Sequence, residues 1–377
     1  MFRTSPVFGL QRRHGVVASL GVVILLGVSV VGAAGASSTS AVSVATTSTT
    51  IDSSTTTTST TSTTSTTSTT TTTTTTTTPV APTGVARSVT QSLKGVAYAT
   101  VSATETLDLY LPVSDGTTAV PLVILIHGGA FLFGDSTAED AYVAPLLQRD
   151  VAVASLNYRL SGEAIYPAGA QDVKAAVRWL RAHAAEYGLN PEAFGAWGQS
   201  AGGWLATMLG ATGDQVTLFD DPSLGNADVS SAVQAVVSWY GVSDFTTVDQ
   251  QFVEAGVCPA FTLAADPDSF ESRWLGESVA TCSQAASTNL ASYAAGAAVL
   301  PTWYLAHGDM DCVVPVGQSA ELAAGLRAVG ADVTFVVVAG AEHADPIFDV
   351  TQVQPSIAFL VDALVAGVAS SASAALV

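Results

Sequence analysis

The chain has 377 residues, enough for two or three domains, and a formal net charge of −19. So acidic a surface repels phosphate backbones, which argues against a nucleic-acid partner; we attribute the acidity to solubility outside the cell. Composition also excludes about the first 85 residues from a packed core, because an apolar leader is followed there by a Ser/Thr tract. The remaining ~290 residues can form one large α/β domain.

The beginning of the chain has the pattern of an export signal. Arg3, Arg12 and Arg13 form a positive segment, an apolar run extends over 16–31, and Ala34-Gly35-Ala36 matches a cleavage site. The alternative is an uncleaved membrane anchor, for which the apolar run is barely long enough. Either interpretation places the protein outside the cytoplasm, secreted or at the cell surface, with membrane contact only in the second.

A low-complexity segment follows the leader. Residues 37–78 are nearly all Ser and Thr, with almost nothing apolar to bury. We predict a disordered, O-glycosylated stalk that holds the rest of the chain away from the surface; the alternative is a passive tail. The predicted organisation is therefore a leader at 1–36, a stalk at 37–84 and an α/β catalytic domain at 85–377.

From about residue 93 the chain alternates between strand and helix patterns. Residues 106–111 alternate with period two, as in a half-buried strand, whereas 121–126 form the continuous apolar run of a strand covered on both faces. Helical spacing predicts a helix over 170–187. Further strands are predicted at 151–156, 193–197, 233–239, 302–306 and 333–338, and further helices after residue 200, at 318–329 and at 354–368. This order predicts a mostly parallel sheet with helices on both faces and an irregular insertion at about 240–300.

A G-x-S-x-G motif occurs between a predicted strand and a predicted helix, as Gly198-Gln199-Ser200-Ala201-Gly202. Such a motif places its serine on a sharp, strained turn, where small neighbours avoid clashes. The helix that follows supplies a favourable dipole and the free backbone N–H of Ala201. The motif alone arises by chance in a chain rich in Gly and Ser, but this context makes Ser200 the predicted nucleophile.

A second glycine motif, His127-Gly128-Gly129-Ala130-Phe131, comes directly after a predicted buried strand. Two adjacent glycines allow backbone N–H groups to turn toward a developing oxyanion. We therefore assign the oxyanion hole to Gly128, Gly129 and Ala201. His127 is interpreted as a brace for this loop rather than as a base.

Two aromatic residues, Phe131 and Trp204, flank these motifs. Their position makes them candidates for substrate binding. Large aromatic side chains are also highly buried on average. Pocket lining and burial in the core are weighed equally for both.

The base and its acid partner follow from chain order. With this serine motif the order is Ser, acid, His, and His343 alone follows both Ser200 and the last acid-bearing turn. His343 would take the proton from Ser200 and return it to the leaving alcohol. On the loop after 302–306, Asp309 and Asp311 compete for the acid role, and Asp244 is a distant third.

The three cysteines, Cys258, Cys282 and Cys312, permit one disulfide in an exported protein and leave one thiol over. We expect Cys258 to pair with Cys282 inside the insertion, and pairing of either with Cys312 stays open. No Cys and His spacing matches a zinc site, so no metal is predicted.

Taken together, these segments resemble α/β-hydrolase esterases of the hormone-sensitive-lipase type, and within them the group similar to bifunctional feruloyl/acetyl-xylan esterases. The resemblance covers about residues 93–365. It rests on LDLYLP, LIHGGAF, LNYRLSGEAIYPA, QDVKAAVRWLRAHAAEYGLNP, WGQSAGG, HGDMDCVVP and GAEH. The acid of that family is the last Asp of an HG-x-x-D turn, which implies Asp311. Its nucleophile and base match Ser200 and His343, and its oxyanion glycines match Gly128 and Gly129.

The resemblance implies an α/β-hydrolase fold and a serine esterase that needs no cofactor. The implied substrates are small or polysaccharide-linked esters with short acyl, acetyl or feruloyl groups. Ala130 replaces a third glycine of the oxyanion loop, which would narrow the hole or shift the preferred acyl group. Little sequence precedes the domain to form a cap, so we expect a fairly open site. Two alternatives stay open: a serine peptidase of the prolyl type, for which no substrate-selecting domain is visible in the sequence, and an inactive hydrolase fold that binds at a surface. The oligomeric state is left open.

Overall fold

The structure, a computed structural model, describes residues 83–258 and 262–374, and it describes side chains as far as residue 365. The predicted leader and nearly all of the predicted stalk lie outside these residues. Within the described ranges, no helix combines the length and apolar character needed to cross a bilayer.

The described strands, in chain order, are β1 (Gln91–Ala97), β2 (Thr106–Leu111), β3 (Val120–Ile126), β4 (Ala152–Leu156), β5 (Leu189–Gln199), β6 (Ala235–Trp239), β7 (Thr302–Gly308) and β8 (Val333–Val338). They form one sheet in the order β1-β2-β4-β3-β5-β6-β7-β8. Strand β2 is antiparallel to both of its neighbours, and every other pair is parallel. This confirms the predicted mostly parallel sheet.

The described α-helices are α1 (Asp140–Leu147), α2 (Ala168–Ala182), α3 (Ala184–Tyr187), α4 (Ala201–Thr212), α5 (Val248–Ala255), α6 (Phe270–Leu275), α7 (Ala291–Ala294), α8 (Gly317–Ala328), α9 (Ile347–Thr351) and α10 (Val353–Ala374). Helices α2, α4 and α8 pack into a core on one face of the sheet, and α1 and α10 into a core on the other. Helices therefore cover both faces, as predicted.

Strand β3 shows why a continuous apolar run was required. Leu122, Ile124 and Ile126 point into the core with α2, α4 and α8, whereas Val123 and Leu125 point into the core with α1 and α10. Burying each of these side chains stabilises the fold by roughly 1.5–3 kcal/mol. The strand is thereby fixed in the centre of the sheet, with its carboxyl end at the loop that begins with His127.

Several elements differ from the predictions: β1, α1 and α9 were not predicted, and two predicted segments have another structure. The helix predicted over 170–187 is broken at His183, whose ring Nδ1 lies 2.8 Å from the Trp179 carbonyl oxygen and competes for that helix acceptor. The insertion contains α5, α6 and α7 rather than irregular chain alone. Its sequence carries one such signal, since the Ser269 side chain caps α6 and Gly276 ends it in a left-handed conformation.

The disulfide also differs from the prediction. Cys258 is bonded to Cys312 and Cys282 is free, so the expected Cys258–Cys282 pairing is wrong. Helix α5 ends at Ala255 with Gly256 as its cap, and two residues later Cys258 lies against the loop after β7. The bond ties the insertion to the loop that carries Asp311, because Cys312 is the next residue.

We expect Cys312→Ser to lower the free energy of unfolding by about 2–4 kcal/mol, because it releases a cross-link that spans 54 residues. Denaturant unfolding without reductant measures the loss. Cys282→Ser is the matched control and should change stability by no more than about 1 kcal/mol, as for a partly exposed free thiol. Equal losses in the two variants would contradict this pairing.

Candidate active site

Ser200 lies on the turn between β5 and α4, with φ +53° and ψ −119°, a conformation that residues with a side chain rarely adopt. Its N–H donates to the Trp239 carbonyl oxygen at 2.9 Å. A Cβ on Gly198 would overlap the Gly202 carbonyl oxygen, and one on Gly202 would overlap that of Ile126. The tight turn thus requires both glycines of the motif and presents Ser200 at the carboxyl edge of the sheet.

Three predicted site residues come together at this edge. His343 Nε2 lies 2.9 Å from Ser200 Oγ, and His343 Nδ1 lies 2.7 Å from Asp311 Oδ2. Asp311 follows β7 and His343 follows β8, and the carboxyl ends of these parallel strands meet. With its proton on Nδ1, the imidazole donates to Asp311 and leaves Nε2 free to accept the Ser200 proton.

The Asp311 carboxylate is buried and held on both oxygens. Oδ1 accepts the N–H groups of Val313 and Val314, each at 2.8 Å, and His307 Nε2 lies 3.3 Å from Oδ2. Burial opposes ionisation, but hydrogen bonds from His307 and His343 outweigh it and hold the pKa of Asp311 well below its ordinary value. The carboxylate is therefore ionised at physiological pH and can stabilise an imidazolium.

The rival acids have other partners. Asp309 accepts the Gly340 N–H at 2.6 Å and so caps a turn, and Asp244 binds Thr246 and Asn289. Among the described residues no group of three or more His, Cys, Asp or Glu side chains is arranged to hold a metal ion.

The predicted oxyanion loop lies directly against Ser200. A Cβ on Gly128 would stand 3.3 Å from the Ser200 Cβ, and Gly129 adopts φ +107°, where a side chain would overlap the Phe133 carbonyl oxygen. Ala130 adopts φ +55° despite its side chain. Ala201 begins α4, so its N–H has no acceptor within the helix. The glycine loop and the first residue of α4 therefore both lie beside Ser200.

His127 stabilises this loop through hydrogen bonds and ring stacking. Its ring Nδ1 lies 2.7 Å from the Gly128 carbonyl oxygen, and the Tyr158 hydroxyl donates to the His127 carbonyl at 2.8 Å. The two rings stack with centroids 4.5 Å apart. Burial lowers the pKa of His127, which favours the neutral imidazole there.

Phe131 and Trp204 belong to the core rather than to an accessible wall. Phe131 is 3% exposed and Trp204 0%. Phe131 stacks on Trp274 with centroids 3.8 Å apart, and the Trp204 indole donates to the Thr288 carbonyl at 3.1 Å. The prediction that these two side chains bind substrate is therefore wrong. They instead pack in the core behind the glycine loop and the Ser200 turn.

A partly buried polar chain that the sequence did not reveal adjoins Ser200. The Tyr240 hydroxyl donates to Gln199 Oε1, and Gln199 Nε2 donates to Glu139 Oε2 at 2.9 Å. The Tyr240 ring lies edge-on to the His343 ring, with centroids 4.9 Å apart. The available signal was Gln199 itself, a polar residue directly before Ser200.

Burial, helped by the nearby Asp349 carboxylate, raises the pKa of Glu139 to about 7. A raised carboxyl pKa means that folding favours the protonated form, so this contribution to stability is lost as pH rises from about 4.5 to 7. We expect the wild type to lose roughly 2 kcal/mol more stability between pH 5 and 8 than Glu139→Gln, which does not titrate. Denaturant unfolding at both pH values measures this, and identical pH dependence would contradict it.

A family model called BD-FAE matches residues 107–326. The esterase LipQ of Mycobacterium tuberculosis is 32% identical over 59% of this chain and 50% of its own length. The probable carboxylic ester hydrolase LipM of the same organism is 28% identical over 62% and 51%. The chain thus spans about half the length of these curated relatives.

Two solved structures extend the likeness to the fold. A truncated form of a carbohydrate esterase from gut microbiota has a TM-score of 0.62 and 28% identity, covering 75% of this chain and 99% of that one. A bifunctional GH43-CE protein of Bacteroides eggerthii has a TM-score of 0.63 and 30% identity, covering 72% and 35%. The family match spans more than half of the chain and includes the G-x-S-x-G turn and Asp311. The chain therefore belongs to the BD-FAE family and has the α/β-hydrolase fold.

Proposed function

We propose that this protein is an exported serine esterase that hydrolyses carboxylic esters through an acyl-enzyme on Ser200. The observation that carries the proposal is the unbroken hydrogen-bonded series Ser200–His343–Asp311 beside a glycine loop. Relatives named esterases, LipQ and LipM among them, support the reaction class. Export rests on the composition of the leader and stalk.

The reaction proceeds in two halves. Ser200 Oγ attacks the ester carbonyl while His343 Nε2 takes its proton, and the N–H groups of Ala201 and the Gly128–Gly129 loop hold the oxyanion. Collapse of the intermediate expels the alcohol, which receives the proton from His343. Water then attacks the acyl-enzyme with His343 again acting as base, which releases the carboxylic acid and restores Ser200. Ionised Asp311 stabilises the imidazolium in both halves.

Two exposed aromatic rings support substrates with short or aromatic acyl groups. Phe133 and Phe270 are 58% and 42% exposed, and their rings meet edge-to-face at 6.4 Å. Phe133 N–H donates to the Gly129 carbonyl at 3.1 Å, so its backbone belongs to the oxyanion loop. Phe270 also lines a cavity of about 210 Å³ beside Cys312. The similarity to a carbohydrate esterase supports acetyl or feruloyl esters of polysaccharides as well as small esters.

A substrate panel tests this function. We expect the wild type to hydrolyse p-nitrophenyl acetate and at least one of methyl ferulate and acetylated xylan, and to leave proline p-nitroanilide intact, because an amide is a much less reactive acyl donor than an ester and the relatives are named for ester hydrolysis. Initial rates, each compared with those of Ser200→Ala, provide the measurement. Turnover of the proline anilide would favour the prolyl peptidase. Ester rates equal to those of Ser200→Ala would favour an inactive binding module.

A further inference from the structure

The imidazole of His343 has a third neighbour besides Ser200 and Asp311. The Tyr240 ring stands edge-on to it, at 64° and 4.9 Å between centroids. Phe348 holds the Tyr240 ring in turn, at 81° and 4.8 Å. Tyr240 is 4% exposed, so its ring has little room to move without moving His343.

The backbone of Tyr240 is fixed as firmly as its ring. The residue follows β6 with φ +38°, a positive value that is uncommon for a residue with a side chain. Its N–H donates to the Ala306 carbonyl oxygen on β7 at 2.7 Å. Strain of this kind persists only where the surroundings over-determine the conformation.

The remaining freedom of Tyr240 is rotation and tilt of the side chain, which its hydroxyl restrains. The hydroxyl donates to Gln199 Oε1, and Gln199 Nε2 donates to Glu139 Oε2 at 2.9 Å. Glu139 is 6% exposed and immediately precedes α1. Gln199 is partly buried, so an amide that lost this carboxylate would lose a hydrogen bond and would have reason to change rotamer.

We propose that Glu139 and Gln199 are positioning residues which, through the Tyr240 hydroxyl, hold the His343 imidazole in line between Ser200 and Asp311. The proposal rests on the esterase function proposed above. It assigns a role to Gln199, the variable position of the G-x-S-x-G motif, and to Glu139, which lies 61 positions before Ser200 in the printed sequence. Among the described residues neither side chain hydrogen-bonds to Ser200, His343 or Asp311, so both are positioning residues whose proposed route to His343 is the Tyr240 side chain.

The central test compares Glu139→Ala with Glu139→Gln. We expect Glu139→Ala to lower kcat for p-nitrophenyl acetate by about 10- to 100-fold, with KM within about threefold of wild type, because misalignment affects the transition state and not binding. Glu139→Gln keeps an oxygen that can accept from Gln199, so its kcat should return to within about threefold. The burst of p-nitrophenol gives the concentration of functional active sites in each sample. Dividing the rate by that concentration removes any effect of a smaller folded fraction.

A second variant serves if Glu139→Ala does not fold. Tyr240→Phe keeps the ring and deletes only the hydroxyl through which Glu139 acts, so we expect kcat per active site to fall by about the same 10- to 100-fold at constant KM. The matched control is Tyr304→Phe, since the Tyr304 hydroxyl is also buried and donates to a glutamine oxygen, that of Gln352, at 2.7 Å. Its kcat should equal that of the wild type.

Three results would overturn the proposal: wild-type kcat per site in folded Glu139→Ala or Tyr240→Phe, a change confined to KM, or no recovery in Glu139→Gln. Its failure is distinct from failure of the proposed function, because an inactive wild type refutes the esterase itself, whereas an active wild type with indifferent variants refutes only the positioning role.

Discussion

Replacing Ser200 with alanine is expected to lower kcat for p-nitrophenyl acetate by about 10⁴- to 10⁶-fold. The loss is large because the variant has no atom at Oγ to attack the carbonyl, although His343 and the oxyanion loop stay in place. Initial rates under substrate saturation measure the effect. The variant should fold normally, since within 83–258 and 262–374 the one hydrogen-bond partner of Ser200 Oγ is His343, at 2.9 Å.

A neighbouring serine supplies the control. Ser161 donates its hydroxyl to the Phe131 carbonyl at 2.7 Å and lies beside the same loop without contacting His343. Ser161→Ala should keep at least about a tenth of wild-type kcat, since a loop that shifts slightly costs far less than a missing nucleophile. Comparable losses in the two variants would show that Ser200 has no special role.

Replacing Asp311 with asparagine is expected to lower kcat by about 10⁴-fold. The asparagine oxygen would still accept the Val313 and Val314 N–H groups, which turns its NH₂ toward His343 Nδ1. That donor selects the wrong tautomer, with a proton on Nε2, and the imidazole then cannot accept the proton of Ser200. Steady-state kinetics at neutral pH measures the loss.

Asp309→Asn is the matched control because Asp309 lies two residues away on the same turn and accepts only the Gly340 N–H. It should retain kcat within about threefold, as expected for a turn cap. The assignment would be reversed if Asp309→Asn lost activity and Asp311→Asn kept it.

The sheet, Ser200 and His343 could be predicted from local patterns and chain order, whereas the choice of Asp311 over Asp309 rested on the family resemblance. Continuous apolar strands such as β3, the glycines around Ser200 and the fixed order of the motif each act within a few residues. Parallel strand topology then brings their carboxyl ends together, which is how Ser200, Asp311 and His343 meet.

Pairings between distant residues could not be predicted in the same way. The partner of Cys258 depends on the direction that the chain takes after α5. The position of the cysteines in the sequence favoured Cys282, but the bond is to Cys312. Asp172 is another example. Its partner is not a residue of its own helix but Arg159 from the loop after β4, which binds both carboxylate oxygens.

Which side chains near the site are buried could not be predicted from the sequence either. Phe131 and Trp204 adjoin the two glycine motifs, yet the turn and loop direct both inward, while Phe133 two residues later is exposed. Glu139 lies in a segment without catalytic pattern, and only the fold brings it to Gln199. Such contacts depend on which face of a helix or loop points toward the site. A shift of one or two residues along the chain turns a side chain from the core to the solvent.

The most direct test of the account is covalent labelling with phenylmethanesulfonyl fluoride followed by peptide mass analysis. We predict loss of esterase activity in step with one sulfonyl group per chain, located on Ser200, and no labelling of Ser200→Ala. A label on a different residue that tracks the loss of activity, or full activity when Ser200 is completely modified, would contradict the account.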